Sequence, residues 1–160
     1  MLSFAYDRKA AFDYAERWAL GRNPEYYDFS DLGGDCTNFV SQCVYAGSGI
    51  MNYTNPNGWY YISLNQRAAA WTGVEAFYQF ITTNRGPGPY GHLVRQSEIR
   101  VGDVIQLGKS DGTFYHSLFV LDYAPPAIYI ACHSYDSLWR ELGTYDAPRI
   151  RYLHIDGVRR

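Results

Sequence analysis

The chain has 160 residues, of which 47% are hydrophobic and 19% are charged, a balance typical of a folded globular protein rather than a disordered one. The formal net charge is −2 and no run of basic residues occurs, so nucleic acid is not expected as an obligate partner, because phosphate neutralisation needs clustered Lys and Arg. No apolar stretch reaches about 18 residues, so the sequence predicts no membrane-spanning helix.

The first residues, MLSFAYDRKAAFDY, are polar and become acidic too early to form a secretory signal peptide. A cytoplasmic protein and a mature domain cut from a longer secreted precursor both agree with this start. The expected localisation therefore stays open between the two.

The first half of the chain predicts three helices. Apolar residues recur at helical spacing over residues 6–20. A second helix is predicted over residues 36–47, with Asp35 as its N-cap residue and an apolar face behind it. A third is predicted over residues 71–81, and the Gly- and Pro-rich residues 86–91 after it are expected to be irregular.

The second half changes to a strand pattern. Strands are predicted over residues 104–107, 114–123, 128–133 and 149–155, and Asp111-Gly112 predicts a hairpin between the first two. Helices followed by strands indicate an α+β fold in which N-terminal helices pack on an antiparallel β-meander. Residues 1–160 are expected to form a single domain.

Cys36 is the cysteine whose position predicts chemistry. The chain has three cysteines, which is not a disulfide framework, and Cys36 and Cys43 lie too far apart on one helix to be bridged. Two glycines and an N-cap aspartate precede Cys36, so it begins the predicted helix, where unpaired backbone N–H groups and the helix dipole favour a thiolate. Its own N–H would point toward an oxyanion formed by attack on a carbonyl. We predict Cys36 as a nucleophile and Cys43 as a core residue.

Of the four histidines, His116 and His133 are the best placed to serve as the base. They lie on strands that an antiparallel sheet brings side by side. His116 shares a strand face with Leu118 and Val120 and is predicted to project toward the covering helix. His133 would then orient the His116 ring. Together with Cys36 these residues could bind zinc, but no CxxC, HxxxH or HExxH spacing occurs, so neither a metal nor a cofactor is expected.

The cysteine motif GGDCTNFVSQC is accompanied by further segments in a recognisable order. They include Asn23-Pro24-Glu25-Tyr26, Trp59-Tyr60-Tyr61, Gly102-Asp103-Val104-Ile105-Gln106, His116-Ser117 and His133-Ser134-Tyr135-Asp136. Over nearly its whole length the chain resembles the putative amidase domain family, part of the papain-like group that also holds the NlpC/P60 cell-wall peptidases.

The resemblance implies a papain-like α+β fold, with Cys36 as nucleophile, His116 as base and His133 as the third polar residue of a catalytic triad. Asp136 is a competing third residue. Ser30 stands where classical papains have the glutamine that completes their oxyanion hole.

The residue that replaces this glutamine is open. Tyr26, Tyr27 or a backbone N–H could support the oxyanion. Asp35 and Trp59 are expected beside them, in or near a substrate groove that aromatic residues line.

These features together predict a cysteine amidase or peptidase that hydrolyses amide bonds through a Cys–His thiolate pair and a thioester. The resemblance makes bacterial cell-wall peptides a plausible substrate. Two alternatives stay open: a catalytically silent module that binds a glycan or peptide, and a transglutaminase-like acyl transferase.

Overall fold

The computed structural model describes residues 1–160 and contains four helices and nine strands. The helices are α1 (Arg8–Trp18), α2 (Cys36–Ser48), α3 (Ala69–Thr72) and α4 (Val74–Thr83). The strands are β1 (Ser3–Phe4), β2 (Tyr61–Ser63), β3 (Gln66–Arg67), β4 (Gly88–Val94), β5 (Val104–Gly108), β6 (Phe114–Ala124), β7 (Ala127–Cys132), β8 (Ser137–Glu141) and β9 (Arg149–Arg159). None of the helices combines the length and apolar character needed to cross a membrane.

The predicted helices are present, with shifted ends. Asp7 caps α1 by accepting a hydrogen bond from the Ala10 backbone N–H. The chain leaves α2 through Gly49, which has a left-handed backbone conformation that suits glycine. Extended backbone at Gly73 divides the third predicted helix into α3 and α4.

The main sheet is antiparallel and has the strand order β1-β9-β5-β6-β7-β8, with β4 also paired to β9. Strands β5, β6 and β7 correspond to the first three predicted strands, with the 109–113 turn closing the first hairpin, and β8, which was not predicted, continues the meander. The last strand returns to pair with β5, so the sheet extends beyond a simple meander. The architecture is α+β, as predicted.

Residues 86–91 depart from the prediction of irregular structure. Gly88–Val94 forms strand β4, which pairs only with β9, so it lies at an edge where Pro89 need not donate a ladder hydrogen bond. A bulge lies between Tyr90 and Gly91, where a side chain at residue 91 would collide with the carbonyl oxygen of His154.

The sheet separates two apolar cores. The helix-side core contains Phe39, Val40 and Cys43 of α2 together with Phe119 and Ala131 of the sheet. The far-side core has no residue from α1 to α4 and consists of Ile99, Ile105, Leu107, Leu118, Val120, Ile128, Ile130, Cys132 and Leu142. Because successive strand residues alternate between faces, membership of one core or the other tells which way each β6 or β7 side chain points.

Candidate active site

Cys36 is the first residue of α2, as predicted. Gly33 and Gly34 precede it with φ values of 87° and 100°, a conformation that glycine adopts readily and that turns the chain sharply into the helix. Asp35 occupies the N-cap position, but its side chain accepts no capping hydrogen bond from the backbone N–H groups of the helix it precedes. The first backbone N–H groups of α2 are therefore not capped by this side chain.

The thiol of Cys36 is largely buried, with the residue 8% exposed. Its Sγ lies 3.8 Å from Thr37 Oγ1. Burial raises the pKa of Cys36, and hydrogen bonds from the backbone N–H groups of Ser117 and Thr37 oppose that rise only in part. The prediction of a thiolate is therefore not met, since the resting thiol is neutral near neutral pH.

A cavity of about 320 Å³ opens beside Cys36. Its wall combines the glycine turn, the cysteine, the start of β6 and the segment after β7. The lining residues are Gly33, Gly34, Cys36, Leu107, Tyr115, His116, Ser134, Tyr135, Arg140 and Tyr145. Cys36 and His116 thus border the same space, although no hydrogen bond joins them.

His116 reaches this cavity from the opposite face of the sheet to the one expected. It shares its face with Leu118 and Val120, as predicted, but these residues belong to the far-side core and not to the core under the helices. Its ring is parallel to that of Tyr115, with centroids 6.5 Å apart, and lies 6.0 Å from the Tyr145 ring. No protein group hydrogen-bonds to the ring.

Burial, together with the positive charge of Arg140, lowers the pKa of His116 to about 4. This is opposite to the rise that an imidazolium paired with a thiolate would show. The resting pair is therefore a neutral thiol and a neutral imidazole.

His133 does not contact His116, which corrects the expected pairing. The β6–β7 register places Phe119 opposite Ala131 on the helix-side face, and His133 follows Ala131 by two residues onto that face. There its Nδ1 hydrogen-bonds to Asp35, its Nε2 lies 2.9 Å from the Trp18 carbonyl oxygen, and its ring stacks on Phe39.

Asp136, the competing third residue, is also engaged elsewhere. Its two carboxylate oxygens accept hydrogen bonds from Arg22 Nη1 and Nη2, at 2.7 and 3.1 Å. Arg22 also forms ion pairs with Asp28 and Asp35. Neither predicted third residue orients the His116 ring in this structure.

Asp35 is a buried organising residue rather than part of a groove. Its side chain is fully enclosed and accepts hydrogen bonds from the Phe29 backbone N–H at 2.8 Å and from Asn38 Nδ2 at 2.9 Å, besides its contact with His133. These bonds fix the turn immediately before Cys36 from three directions. Asp35 therefore positions the cysteine without lining the cavity.

The aromatic residues expected at the groove lie elsewhere. Trp59 is completely buried and donates its Nε1–H to Ser41. Tyr26 stacks on Trp71, and Tyr27 packs edge-on against Phe29. None of the three expected residues lines the cavity at Cys36.

A second polar contact ties the start of α2 to the sheet. Thr37 Oγ1 lies 2.9 Å from Ser117 Oγ, which in turn accepts a hydrogen bond from Gln106 Nε2 at 3.1 Å. All three side chains are buried. The residue after the cysteine is thereby linked to the residue after His116, so the two ends of the site are held in a fixed relation.

Besides the glycine turn, Leu107 and Tyr115, four residues line the cavity without having been predicted as site residues. Ser134 and Tyr135 have φ values of 64° and 57°, and such backbone strain in non-glycine residues is concentrated at functional sites. Arg140 and Tyr145 come from β8 and the segment after it, where no motif marks them. The only sequence signal for any of these residues was the segment His133-Ser134-Tyr135-Asp136, which is one of the segments that resemble the putative amidase domain family.

No group of three or more His, Cys, Asp or Glu side chains is arranged to hold a metal ion. Cys36 and His116 share the cavity, whereas His133 is on the other face of the sheet, so the Cys-His-His set considered above does not converge.

Comparison with known proteins agrees with the resemblance to the putative amidase domain family. The profile of a family described as putative amidase domain matches residues 5–155. Among curated proteins, the uncharacterized protein YhbB of Bacillus subtilis (strain 168) is 31% identical over 163 residues, covering 96% of this chain and 51% of YhbB. The uncharacterized protein YjcM of the same strain is 31% identical over 141 residues, covering 83% of this chain and 32% of YjcM. The chain spans about half the length of the first relative and a third of the second, and no solved structure matches it.

Proposed function

The chain belongs to the putative amidase domain family, and on that premise we propose that it is a cysteine-dependent amidase or peptidase with one papain-like domain, related in fold to the NlpC/P60 peptidases. The observation that carries the proposal is the position of Cys36, which begins a helix at the edge of a cavity that His116 also lines. No other cysteine has this setting, because Cys43 and Cys132 are completely buried in the two cores.

The reaction begins from the neutral pair. As Cys36 Sγ attacks the carbonyl carbon of an amide, His116 accepts the thiol proton, so the thiolate forms during attack and not before it. The C–S bond forms as the carbonyl π bond opens to an oxyanion. The C–N bond then breaks, and the proton held by His116 passes to the departing amine, leaving a thioester.

Water completes the cycle. His116 takes a proton from water as the hydroxyl oxygen attacks the thioester carbonyl, and the C–S bond breaks to release the carboxylic acid. The proton returns to Sγ. An oxyanion forms in each half of the reaction, and the backbone N–H of Cys36 stabilises both. This N–H lies at the positive end of α2, which the Asp35 side chain does not cap.

The test is a chemical one. Purified protein is incubated with peptidoglycan fragments and with simple peptide amides, and the released amine is measured for wild type, Cys36→Ala and His116→Ala. A peptidyl electrophile provides a second readout, because it should add to Cys36 and spare Cys43 and Cys132.

Hydrolysis that requires both Cys36 and His116 supports the proposal. Acyl transfer to an added amine in preference to water would replace hydrolysis with a transglutaminase-like reaction. Saturable fragment binding without turnover or labelling would favour a silent binding module, and full activity of Cys36→Ala would refute the mechanism.

A further inference from the structure

The active-site cavity holds a single formal charge, and it is positive. Of the ten lining residues only Arg140 is permanently charged, since the cavity wall contains no Asp or Glu. His116 is neutral above about pH 4, the value to which burial and Arg140 lower its pKa. A substrate in this cavity therefore lies near a guanidinium charge that no carboxylate of the cavity wall neutralises.

Arg140 is held in place without being neutralised. Its Cζ lies 3.7 Å from the centre of the Tyr145 ring, and its Nε donates to Thr144 Oγ1 at 2.7 Å. It forms no salt bridge, whereas Arg8, Arg22, Arg95 and Arg151 each pair with a carboxylate. One face of the guanidinium is thus occupied by the Tyr145 ring, Nη2 makes a long hydrogen bond of 3.5 Å to the Thr144 carbonyl oxygen, and Nη1 has no protein partner.

We infer that the cavity selects amide substrates that carry a carboxylate close to the scissile bond, and that Arg140 binds this carboxylate. The inference rests on the proposed function of Cys36 and adds a substrate class to it. A planar guanidinium fixed by stacking matches a carboxylate through paired N–H donors, and such charge-assisted bonds are among the stronger ones in proteins. The volume of about 320 Å³ is at the small end of ligand pockets, so the carboxylate and the amide must be near neighbours.

A bound carboxylate also assists the chemistry. The charge of Arg140 contributes to the low pKa of His116, so neutralising that charge makes the ring a better base when substrate is present. The other titratable groups that line the cavity are Cys36, Tyr115, Tyr135 and Tyr145, and none of them is a carboxylate or a second basic group. Arg140 is therefore the residue through which substrate charge reaches His116.

Three matched pairs of synthetic peptide amides test the inference. The first pair differs by Glu or Gln on the acyl side of the scissile bond, and the second by Glu or Gln on the amine side. The third ends, just after the scissile bond, in a free carboxylate or a carboxamide. Values of kcat/KM are compared for wild type, Arg140→Gln, Arg140→Glu and the control Arg149→Gln, an exposed arginine outside the cavity.

Wild type should cleave the acidic member of at least one pair about tenfold faster or more, the gain typical of a charge-assisted contact. Arg140→Gln should bring that ratio close to one, Arg140→Glu should invert it, and Arg149→Gln should keep it. A wild-type ratio near one in all three pairs, or an unchanged ratio in Arg140→Gln, overturns the inference.

Binding to Cys36→Ala separates this inference from the proposed function. NMR titration with each pair reports anion recognition without any turnover. If no amide is hydrolysed by wild type but the acidic members still bind more tightly through Arg140, the hydrolase proposal fails and the carboxylate site stands. Equal binding of acidic and neutral members removes the carboxylate site whatever the catalytic result.

Discussion

Two cysteines on the same helix allow chemistry and packing to be tested separately. Cys36 lies at the first position of α2 beside a cavity, and Cys43 is completely buried in the helix-side core. We expect Cys36→Ser to abolish hydrolysis with little loss of stability, because a hydroxyl at this position can still accept from the Ser117 N–H but is a far weaker nucleophile. Hydrolysis assays and urea unfolding measure the two effects.

Cys43→Ser should show the reverse pattern. A hydroxyl without a partner in an apolar core costs about 1–3 kcal/mol of unfolding free energy, while the folded fraction keeps its activity. Equal loss of stability in both variants would show Cys36 to be a packing residue only.

The pH dependence follows from the environment of His116. Its ring must be unprotonated to accept the Cys36 proton, and burial with Arg140 lowers its pKa to about 4. We expect kcat/KM to be maintained well below pH 6 and to fall as the pH passes through about 4. Arg140→Gln, measured in parallel, should move this acid limb to higher pH because one cause of the shift is removed.

Stability should respond to the same group with a defined sign. The folded-state pKa of His116 lies below the value of about 6.5 expected in the unfolded chain. Between these two pH values the unfolded chain binds a proton at this residue more readily than the folded protein does. The contribution of His116 to the free energy of unfolding is therefore complete above about pH 6.5 and is lost as the pH falls toward 4. An acid limb of kcat/KM near 6.5 would contradict this account of the site.

One part of the site, the position of Cys36, could be predicted from the sequence because it depends only on local structure. Two glycines and an aspartate before an apolar helix are enough to place Cys36 at a helix start. The side of the sheet on which His116 and His133 lie depends instead on the β6–β7 register, which joins residues distant in sequence. That register puts the two histidines on opposite faces, and local patterns carry no information about it.

The turn before α2 provides a test at the level of an element. Asp35 holds this turn through Phe29, Asn38 and His133, all buried or backbone partners. We expect Asp35→Ala to cost about 3–5 kcal/mol of unfolding free energy, the range seen when one member of a buried polar pair is removed. Activity should fall further than the folded fraction, since the turn delivers Cys36 to the cavity.

His133→Ala should resemble a milder form of Asp35→Ala, with stability and turnover lowered together. Asp136→Ala is the matched control, because its partly exposed pair with Arg22 contributes at most about 1 kcal/mol. If His133→Ala kept full stability but lowered turnover and shifted the pH profile, His133 would have to act directly on His116, as the sequence predicted.

Elements were predictable where their pattern was strong. The apolar face of α2 and the strands at 104–107 and 114–123 are long or regular enough to stand out. Strand β4 was missed because Pro89 and two glycines read as a turn, and only its pairing with β9 at a sheet edge makes the segment regular.

For the molecule as a whole, the α+β class followed from the order of helices and strands, but the return of β9 to β5 did not. That return brings the end of the chain against its beginning. Arg8 at the start of α1 donates both to Asp103 at 2.8 Å and to the Ile155 carbonyl oxygen of β9 at 2.7 Å. A motif that the resemblance singled out, Gly102-Asp103, thus lies at the junction of α1 with the sheet and away from the cavity.

Asp103 is therefore expected to be a residue of stability and not of catalysis. Its side chain is completely buried and accepts from Arg8 and from the backbone N–H groups of Arg100 and Ile155, besides its contact with His154. Asp103→Ala removes the carboxylate that pairs with Arg8 and leaves the backbone N–H groups of Arg100 and Ile155 without this acceptor, so we expect a loss of about 3–5 kcal/mol of unfolding free energy.

The exposed pair of Arg95 and Glu98 supplies the control, since Glu98→Gln at the protein surface should leave stability nearly unchanged. Urea unfolding gives the stability of each variant, and titration of Cys36 with a peptidyl electrophile counts the molecules with a working site. Asp103→Ala should keep wild-type kcat/KM per labelled site at low temperature, because the contacts it loses join α1 to the sheet and none of them lines the cavity. A variant with wild-type stability but little activity per labelled site would instead place Asp103 in the catalytic machinery and would require a second site at this junction.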